Sequence, residues 1–324
     1  MMRGLDRAKY EPMVAFYASE GSFIESRLHE SQIKTCFLVE NRPSDAEQSS
    51  NAADTSMPGR DRERWIDSHL GRGAGQAYRW LRAHYHYLRE DKPRIAPLVR
   101  LIRENEIDLV HFNNSLRSAK AAIRAARITG TPCVCHVRGF TDLEAYDLGF
   151  SRSVDLFVFI SRAVAQDCRR QGISTTGIVI HNVVDLDEFP CAMEKDQDAD
   201  AVRAEFGWEP GTPVAGVVGR LDWWKGHETF LQAVAQAGTQ VDNLKALIVG
   251  ESVDTPQSQR YYQDLLAMTR SVSLQDKVVL TGFRSDVARL MAAMDIVVLP
   301  SSTPEPFGRV VIEGMAACKP VIAT

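Results

Sequence analysis

The amino-acid sequence predicts an α/β protein of two doubly wound halves, each a parallel sheet covered by helices. Three observations carry this prediction. Short apolar runs alternate with segments of helical periodicity from end to end. The alternation lapses between about Val183 and Ala201, where VVDLDEFPCAMEKDQDADA turns polar and acidic, and then restarts. The 324 residues are long for a single core and comfortable for two domains.

In the first half MVAFYA (13–18), KTCFLVE (34–40), DLVHFN (108–113), PCVCHV (132–137) and LFVFIS (156–161) read as strands. IESRLHES, SLRSAKAAIRAARITG and RAVAQDCRRQG read as helices between them, the last with Ser161 as N-cap and Gly172 as C-cap. Residues 41–64 have almost no apolar content and read as a flexible surface loop. The stretch that follows, to about Arg103, reads as helical and Arg-rich with interleaved aromatics: Arg79, Trp80, Arg82, Tyr85, Tyr87 and Arg89. Such a basic 60–103 region is either a solvated face or a peripheral contact with an anionic membrane or an acidic acceptor.

In the second half PVAGVVG (213–219), LKALIVG (244–250), DKVVLTG (276–282), DIVVLP (295–300) and PVIAT (320–324) are the strands. HETFLQAVAQAG, QRYYQDLLAMTRSVS and SDVARLMAAM are the helices, the first with an apolar stripe at Phe230, Leu231, Val234 and Ala235. The expected domains are 1–185 and 201–324, joined by a linker at 186–200. Open α/β sheets bind ligands beyond the carboxyl ends of their strands, so both halves are expected to face a cleft. PVIAT closes the sequence without a helix to cover it, and RGLDRAKYEP reads as the tail of a helix that lacks its strand, so truncation at both ends is expected.

Composition excludes several classes. Hydrophobic content of 44% and charged content of 25% are those of an ordinary globular protein. A formal net charge of -4 gives no whole-molecule attraction to nucleic acid or anionic lipid, and no nucleic-acid module accompanies the basic face. Six scattered cysteines lack paired metal-ligand spacing; Cys133 and Cys135 read as buried thiols on one strand face, and the set implies a reducing compartment. MMRGLDRAKYEP lacks the apolar core of a signal peptide, and no apolar run approaches the ~20 residues of a membrane span, so the reading is cytoplasmic or peripheral on the membrane's inner face. His84 and His86 stand two apart on different helix faces, a poor chelate. Gly71-Arg72-Gly73-Ala74-Gly75 follows a helical segment, not a strand, which sets aside a dinucleotide fingerprint.

The residues that point to chemistry lie in the second half. Its first strand ends at Gly219-Arg220, and Lys225 follows five residues on, before a helix that opens near His227. A forked and a point-charge cation suit a diphosphate, although two surface cations alone are as readily solvated. After the fourth strand, SSTPEPFGRVVIEGMAACKP holds Glu305 between two prolines, hence in a turn. A helix is expected to begin around Phe307–Gly308, where free N–H groups favour an anion and Gly308 permits close approach of a ligand. Glu313 lies along that helix, a carboxylate suited to vicinal hydroxyls such as those of ribose.

Taken together, GRLDWWKG (219–226), LTGFRSDV (280–287), PEPFGRVVIEGMAACKPVIAT (304–324) and IHNVVDLDEF (180–189) identify a resemblance. The sequence resembles glycosyltransferase family 4, retaining enzymes of the GT-B architecture with two Rossmann-like domains. Glu305 and Glu313 match the family's two glutamates separated by seven residues. The resemblance implies that Arg220 and Lys225 neutralise the donor diphosphate of a nucleotide-sugar, and that Gly308 and Arg309 add backbone donors. It implies that Glu313 holds the ribose, Glu305 holds or positions the donor sugar, and Phe283 lies beside the base. Gly219 and Phe307 fall in the same donor-binding motifs. His136, in CHVRGF, matches a histidine near the reacting sugar; without the family it reads equally as a polar residue ending a buried strand. The implied reaction is a retaining, metal-independent hexosyl transfer (EC 2.4) to a glycan, lipid-linked or small-molecule acceptor, with no cofactor beyond the nucleotide-sugar substrate. Polysaccharide biosynthesis is the setting the resemblance suggests.

The sequence departs from the family in three ways. The Gly-rich loop after the first N-terminal strand has no counterpart, Asn182 is followed by Val183 in place of the usual glycine, and the C-terminal helix that crosses back is missing. Other GT-B chemistry, such as a sugar-nucleotide epimerase or a phosphorylase, and a non-catalytic nucleotide-binding fragment are the competing readings.

Overall fold

The apolar runs form parallel strands in two compact units, residues 1–179 and 180–324. The computed structural model describes residues 5–16, 23–38, 68–69, 72–189, 196–253, 255–271 and 274–324, so the loop read at 41–64 lies outside the described residues.

In the first unit β1 (Met13–Phe16) and β2 (Lys34–Phe37) pair in parallel across α1 (Phe23–Glu30). A separate four-stranded parallel sheet runs in the order β3 (Val110–Asn114), β4 (Cys133–Val137), β5 (Leu156–Phe159), β6 (Gly177–Val179). Its connections are α4 (Lys120–Thr129), α5 (Ala145–Ser151) and α6 (Arg162–Arg170). Ser161 caps α6 as expected, its hydroxyl accepting from the Val164 N–H at 3.1 Å. Gln171 is the C-cap, and Gly172 follows it at φ +111°. The capping box of α5, in which Glu144 and Asp147 each accept the other's backbone N–H, was not expected, nor was β6.

The Arg-rich stretch is helical from α2 (Arg72–His86) through a π-helical turn (Tyr87–Asp91) into α3 (Lys92–Glu104). Lys92 N–H reaches back five residues to the Tyr87 carbonyl. Pro93 has no N–H to give the carbonyl four residues before it, and a widened turn beside a proline relieves that loss. Gly73 and Gly75 lie inside α2, not between a strand and a helix. Leu98 and Ile102 of α3 pack on Ala121 and Ala125 of α4, which anchors the segment.

The second unit is a five-stranded parallel sheet of β7 (Val214–Val218), β8 (Lys245–Val249), β9 (Val278–Gly282), β10 (Ile296–Leu299) and β11 (Val321–Ala323). The spatial order is β11-β10-β7-β8-β9. Its helices are α7 (Asp196–Glu205), α8 (His227–Ala237), α9 (Pro256–Ser271), α10 (Val287–Ala293) and α11 (Arg309–Ala316). Strand residues alternate between two cores. Val214, Leu247, Val249 and Val297 face α7 and α10, while Ala215, Val217, Ala246 and Ile248 face α8 and α9. Leu231 and Leu265 are fully buried in the second core, each contributing about 1.5–3 kcal/mol on removal from water.

The division falls after Val179, earlier than the linker expected at 186–200. The acidic composition of that segment conceals packing: Val184, Phe189, Ala199 and Val202 all join the second unit's core. Cys36, Cys133, Cys135 and Cys168 are free thiols, the last three buried, but Cys318 is disulfide-bonded, which corrects the expectation of a wholly reduced set. No described helix is long and apolar enough to cross a membrane.

Candidate functional site

All five strands of the second unit are parallel, so the segments that follow them emerge at one edge. From β7 the chain proceeds to β8 on one side, and from β10 to β11 on the other. The adjacent pair β7 and β10 is therefore the point where the winding reverses, the position at which open α/β sheets bind ligands.

The two loops that follow these strands are fastened together. Gly226, at φ +73°, ends the turn Trp223–Lys225 and begins α8, and a Cβ there would lie 1.8 Å from the Pro300 carbonyl oxygen just past β10. Ser302 donates both its backbone N–H (2.9 Å) and its hydroxyl (3.2 Å) to the Trp224 carbonyl. Two strands about eighty residues apart in sequence thus deliver Lys225 and Glu305 to one place. Lys225 Nζ donates to Glu305 Oε1 at 2.6 Å and sits 4.2 Å above the Trp224 ring, and the Ser301 hydroxyl donates to the same oxygen at 2.7 Å. Both side chains of the ion pair are largely sheltered from water.

The other expected donor-site residues fall around this pair. Gly219 terminates β7, and its N–H donates to Val249 O at 2.9 Å. Arg220 is mostly exposed and pairs with Asp222 at 3.1 Å. Helix α11 begins at Arg309, one residue later than the expected start, with Gly308 as N-cap at φ +72° and no side-chain cap. A side chain at Gly308 would press on Leu299 at 3.1 Å. Arg309 donates to Glu313 at 2.6 Å across one helical turn; Glu313 is buried and Arg309 exposed. Lys225 and Arg309 are thus each paired with a carboxylate of the same site, Glu305 and Glu313. Phe307 packs against the His181 ring, centroids 5.7 Å apart. Phe283 is exposed after Gly282, which has φ +70°. The next residue, Arg284, is gripped by Asp286 (2.8 Å) and Glu205 (2.5 Å), fixing the loop that carries Phe283.

Sequence reasoning missed Ser301, Trp224, His181 and Glu205. It also missed His227, which is fully buried at the start of α8 with its Nδ1 3.5 Å from the Tyr261 hydroxyl. Burial, with Lys225 nearby adding to the effect, draws its pKa down to about 4.

His136 belongs to the first unit, near the end of β4, and is described there alone. Its ring stacks on His111 with centroids 5.7 Å apart, it is buried, and among the described residues neither ring nitrogen has a hydrogen-bond partner. Burial first, then the charges of Arg138 and His111, lower its pKa to about 4, so the ring is neutral at pH 7. A neutral imidazole with both nitrogens unclaimed can give one hydrogen bond and accept another.

Comparison with known proteins bears on the family and the fold. Residues 198–324 match the family described as glycosyl transferases group 1, and residues 54–188 match glycosyltransferase family 4. A UDP-Gal:alpha-D-GlcNAc-diphosphoundecaprenol alpha-1,3-galactosyltransferase of Escherichia coli is 26% identical over 65% of this chain and 56% of its own length. A D-inositol 3-phosphate glycosyltransferase of Segniliparus rotundus is 31% identical over 40% of this chain and 29% of its own. The chain thus spans about a third to a half of the curated relatives it matches. Among solved structures, HepE of Anabaena, in complex with UDP and glucose, superposes with a TM-score of 0.71 at 25% identity, over 96% of this chain and 72% of its own. A glycosyltransferase from Rickettsia africae gives the same TM-score at 18% identity, over 98% of this chain and 71% of its own, a likeness of fold. Both units are Rossmann-like and the fold is GT-B, and the chain belongs to the family 4, group 1 glycosyltransferases.

Proposed function

We propose that the chain transfers a hexose from a nucleotide-diphosphate sugar to an acceptor, with retention and without a metal ion. The observation that carries the proposal is the fastening of the β7 and β10 loops, which gathers Arg220, Lys225, Glu305, Arg309 and Glu313 at the winding reversal of one sheet. Arg220 and Lys225 meet the donor diphosphate and stabilise the charge that develops as the glycosidic bond breaks. Gly308 and Arg309 offer the first N–H groups of α11 to the same phosphate. Glu313 accepts from the ribose hydroxyls, Glu305 positions the donor sugar, and Phe283 lies beside the base. Gly219 keeps the loop after β7 free of a side chain at the diphosphate, and Phe307 closes the turn behind it. His136, neutral, hydrogen-bonds near the reacting sugar.

Metal independence rests on Arg220 and Lys225, which supply charge that a divalent ion would otherwise bring. Retention rests on family membership. A lipid-linked sugar acceptor used at the inner face of a membrane rests on the Escherichia coli relative, whose named acceptor is diphosphoundecaprenol-linked. No cofactor enters beyond the nucleotide-sugar, which is itself the substrate.

The test is release of nucleoside diphosphate from UDP- and GDP-sugars by the full chain. The expected result is slow hydrolysis alone, faster turnover with acceptor, no loss in EDTA, and an axial or equatorial product bond matching that of the donor by NMR. Absence of any UDP or GDP binding by calorimetry would overturn the enzyme reading. Release of free sugar with no acceptor effect would favour epimerase-type chemistry.

A further inference from the structure

From Arg72 to Glu104 the chain is one helical rod, α2, π turn and α3, with one side committed to the protein and the other to solvent. On the committed side Leu98 and Ile102 are buried in the core. Arg82 donates to Glu144 at 3.0 Å, and the Tyr146 hydroxyl lies 3.2 Å from His84 Nδ1. The other side is exposed: Ala77, Leu81, Tyr85 and Leu88 recur at three- or four-residue intervals up to the π turn, Lys92, Ala96, Arg100 and Arg103 do so beyond it, and every one is exposed. Trp80 flanks the first set, 49% exposed and held rigid by stacking on His84 at 5.0 Å.

Leu81 (60% exposed), Tyr85 (57%) and Leu88 (44%) give the α2 end of this exposed side an apolar and aromatic character that solvent alone does not explain. The α3 end differs. It carries a shallow groove of about 660 Å³ lined by Ile95, Val99 and Ile128 together with three cations, Lys92, Arg100 and Arg103, and one carboxylate, Glu104. Among the described residues no carboxylate pairs with those three cations. Residues 72–104 hold eight Lys and Arg against three Asp and Glu, within a chain of net charge -4. Positive charge is therefore concentrated where apolar groups are also exposed.

We propose that this exposed side docks the protein on an anionic membrane surface. A helical segment with a contour of roughly 50 Å, at 1.5 Å per residue, exposes aromatic and aliphatic groups in its first half and cations in its second. Such a surface suits a membrane interface in which apolar groups enter the acyl boundary and cations meet phosphates. The inference stands independently of the donor site.

The test is co-sedimentation of the full chain with phosphatidylcholine vesicles, with and without phosphatidylglycerol. Binding is expected only with phosphatidylglycerol, weakening as salt rises, and accompanied by a blue shift of tryptophan emission that Trp80→Ser removes. The combined substitutions Lys92→Gln, Arg100→Gln and Arg103→Gln are expected to weaken vesicle binding by about fivefold per cation, on the order of a hundredfold together. Leu81→Ser with Leu88→Ser is expected to weaken it independently of salt. Nucleoside diphosphate affinity is expected to stay unchanged in both variants, which reports an intact fold. The proposal is overturned if binding does not depend on phosphatidylglycerol, or if neither variant weakens it. It is also overturned if Leu81 and Leu88 prove to hold a dimer in vesicle-free solution, or if the exposed side binds a protein partner and not lipid.

Discussion

Glu305→Gln is expected to tighten, not weaken, the binding of a bare nucleoside diphosphate. Lys225 Nζ is held 2.6 Å from Glu305 Oε1, and Ser301 donates to the same oxygen at 2.7 Å. A phosphate received by the same ammonium would lie about 5 Å from the carboxylate. Two unit charges at that distance repel by roughly 3 kcal/mol at an effective dielectric of about 20, and by less where water penetrates. Glutamine keeps an oxygen for Lys225 and Ser301 to reach, so the ammonium stays in place while the repulsion vanishes. An improvement of about 1.4 kcal/mol, roughly tenfold in Kd, is the expected scale. Calorimetry with UDP and GDP on the wild type and the variant measures it directly. Transfer activity should fall in the same variant, because the donor sugar loses its carboxylate. Unchanged or weaker diphosphate binding, with the melting temperature preserved, would refute the view that Lys225 is shared between Glu305 and the phosphate.

Three further outcomes are expected. Glu313→Ala should weaken UDP binding by about 1.5–3 kcal/mol, the value of hydrogen bonds to a charged acceptor, but leave inorganic pyrophosphate binding undiminished; equal losses for both ligands would remove Glu313 from the ribose. Gly226→Ala should lower stability by about 2 kcal/mol or more, since its Cβ would meet the Pro300 oxygen at 1.8 Å and φ is +73°; a denaturant midpoint within error of wild type would show that the two loops are not fastened there. His136 and His227 both have folded pKa values near 4, below the ordinary 6.5, so the unfolded chain takes up their protons first as pH falls. Their stabilising contribution is complete above about pH 6.5 and is lost towards pH 4. Urea unfolding at pH 5 should show a loss of roughly 2 kcal/mol per histidine relative to pH 7, and His227→Gln should abolish the second unit's share. An unaltered acid slope in that variant would assign the effect elsewhere.

The central strands of the second unit were legible because they are nearly uninterrupted apolar runs with both faces covered, as in Val214–Val218 and Lys245–Val249. Gly177–Val179 escaped because three residues carry no period, and Ala145–Ser151 because its cap is built from Glu144 and Asp147. Residues 186–200 read as a linker because their acidic side chains hide the few apolar residues, Phe189 and Ala199 among them, that reach the core. Within the site, motif and turn chemistry placed Glu305, Gly308 and Glu313 in the sequence. The partnerships were not legible: Lys225 and Glu305 meet only because β7 and β10 are neighbours, and Ser301 enters through that same strand end. Nor could periodicity reveal the turn at Tyr87–Asp91, since one additional residue per turn shifts the pattern without breaking it.

That turn works as a phase adjuster. Counted at a regular helical pitch, the residues beyond it would be rotated by about 100° relative to those before. The wider turn takes up one residue, so that Leu98 and Ile102 seat on Ala121 and Ala125 while Leu81 and Tyr85 before it and Pro97 and Arg100 beyond it stay exposed. Deleting one residue between Tyr87 and Asp91 would restore an ordinary helix and set its two ends at odds. Because the α3 end is anchored by its core contacts, α2 would have to turn about its own axis, pulling Arg82 from Glu144 and burying the aromatic side chains that now face water.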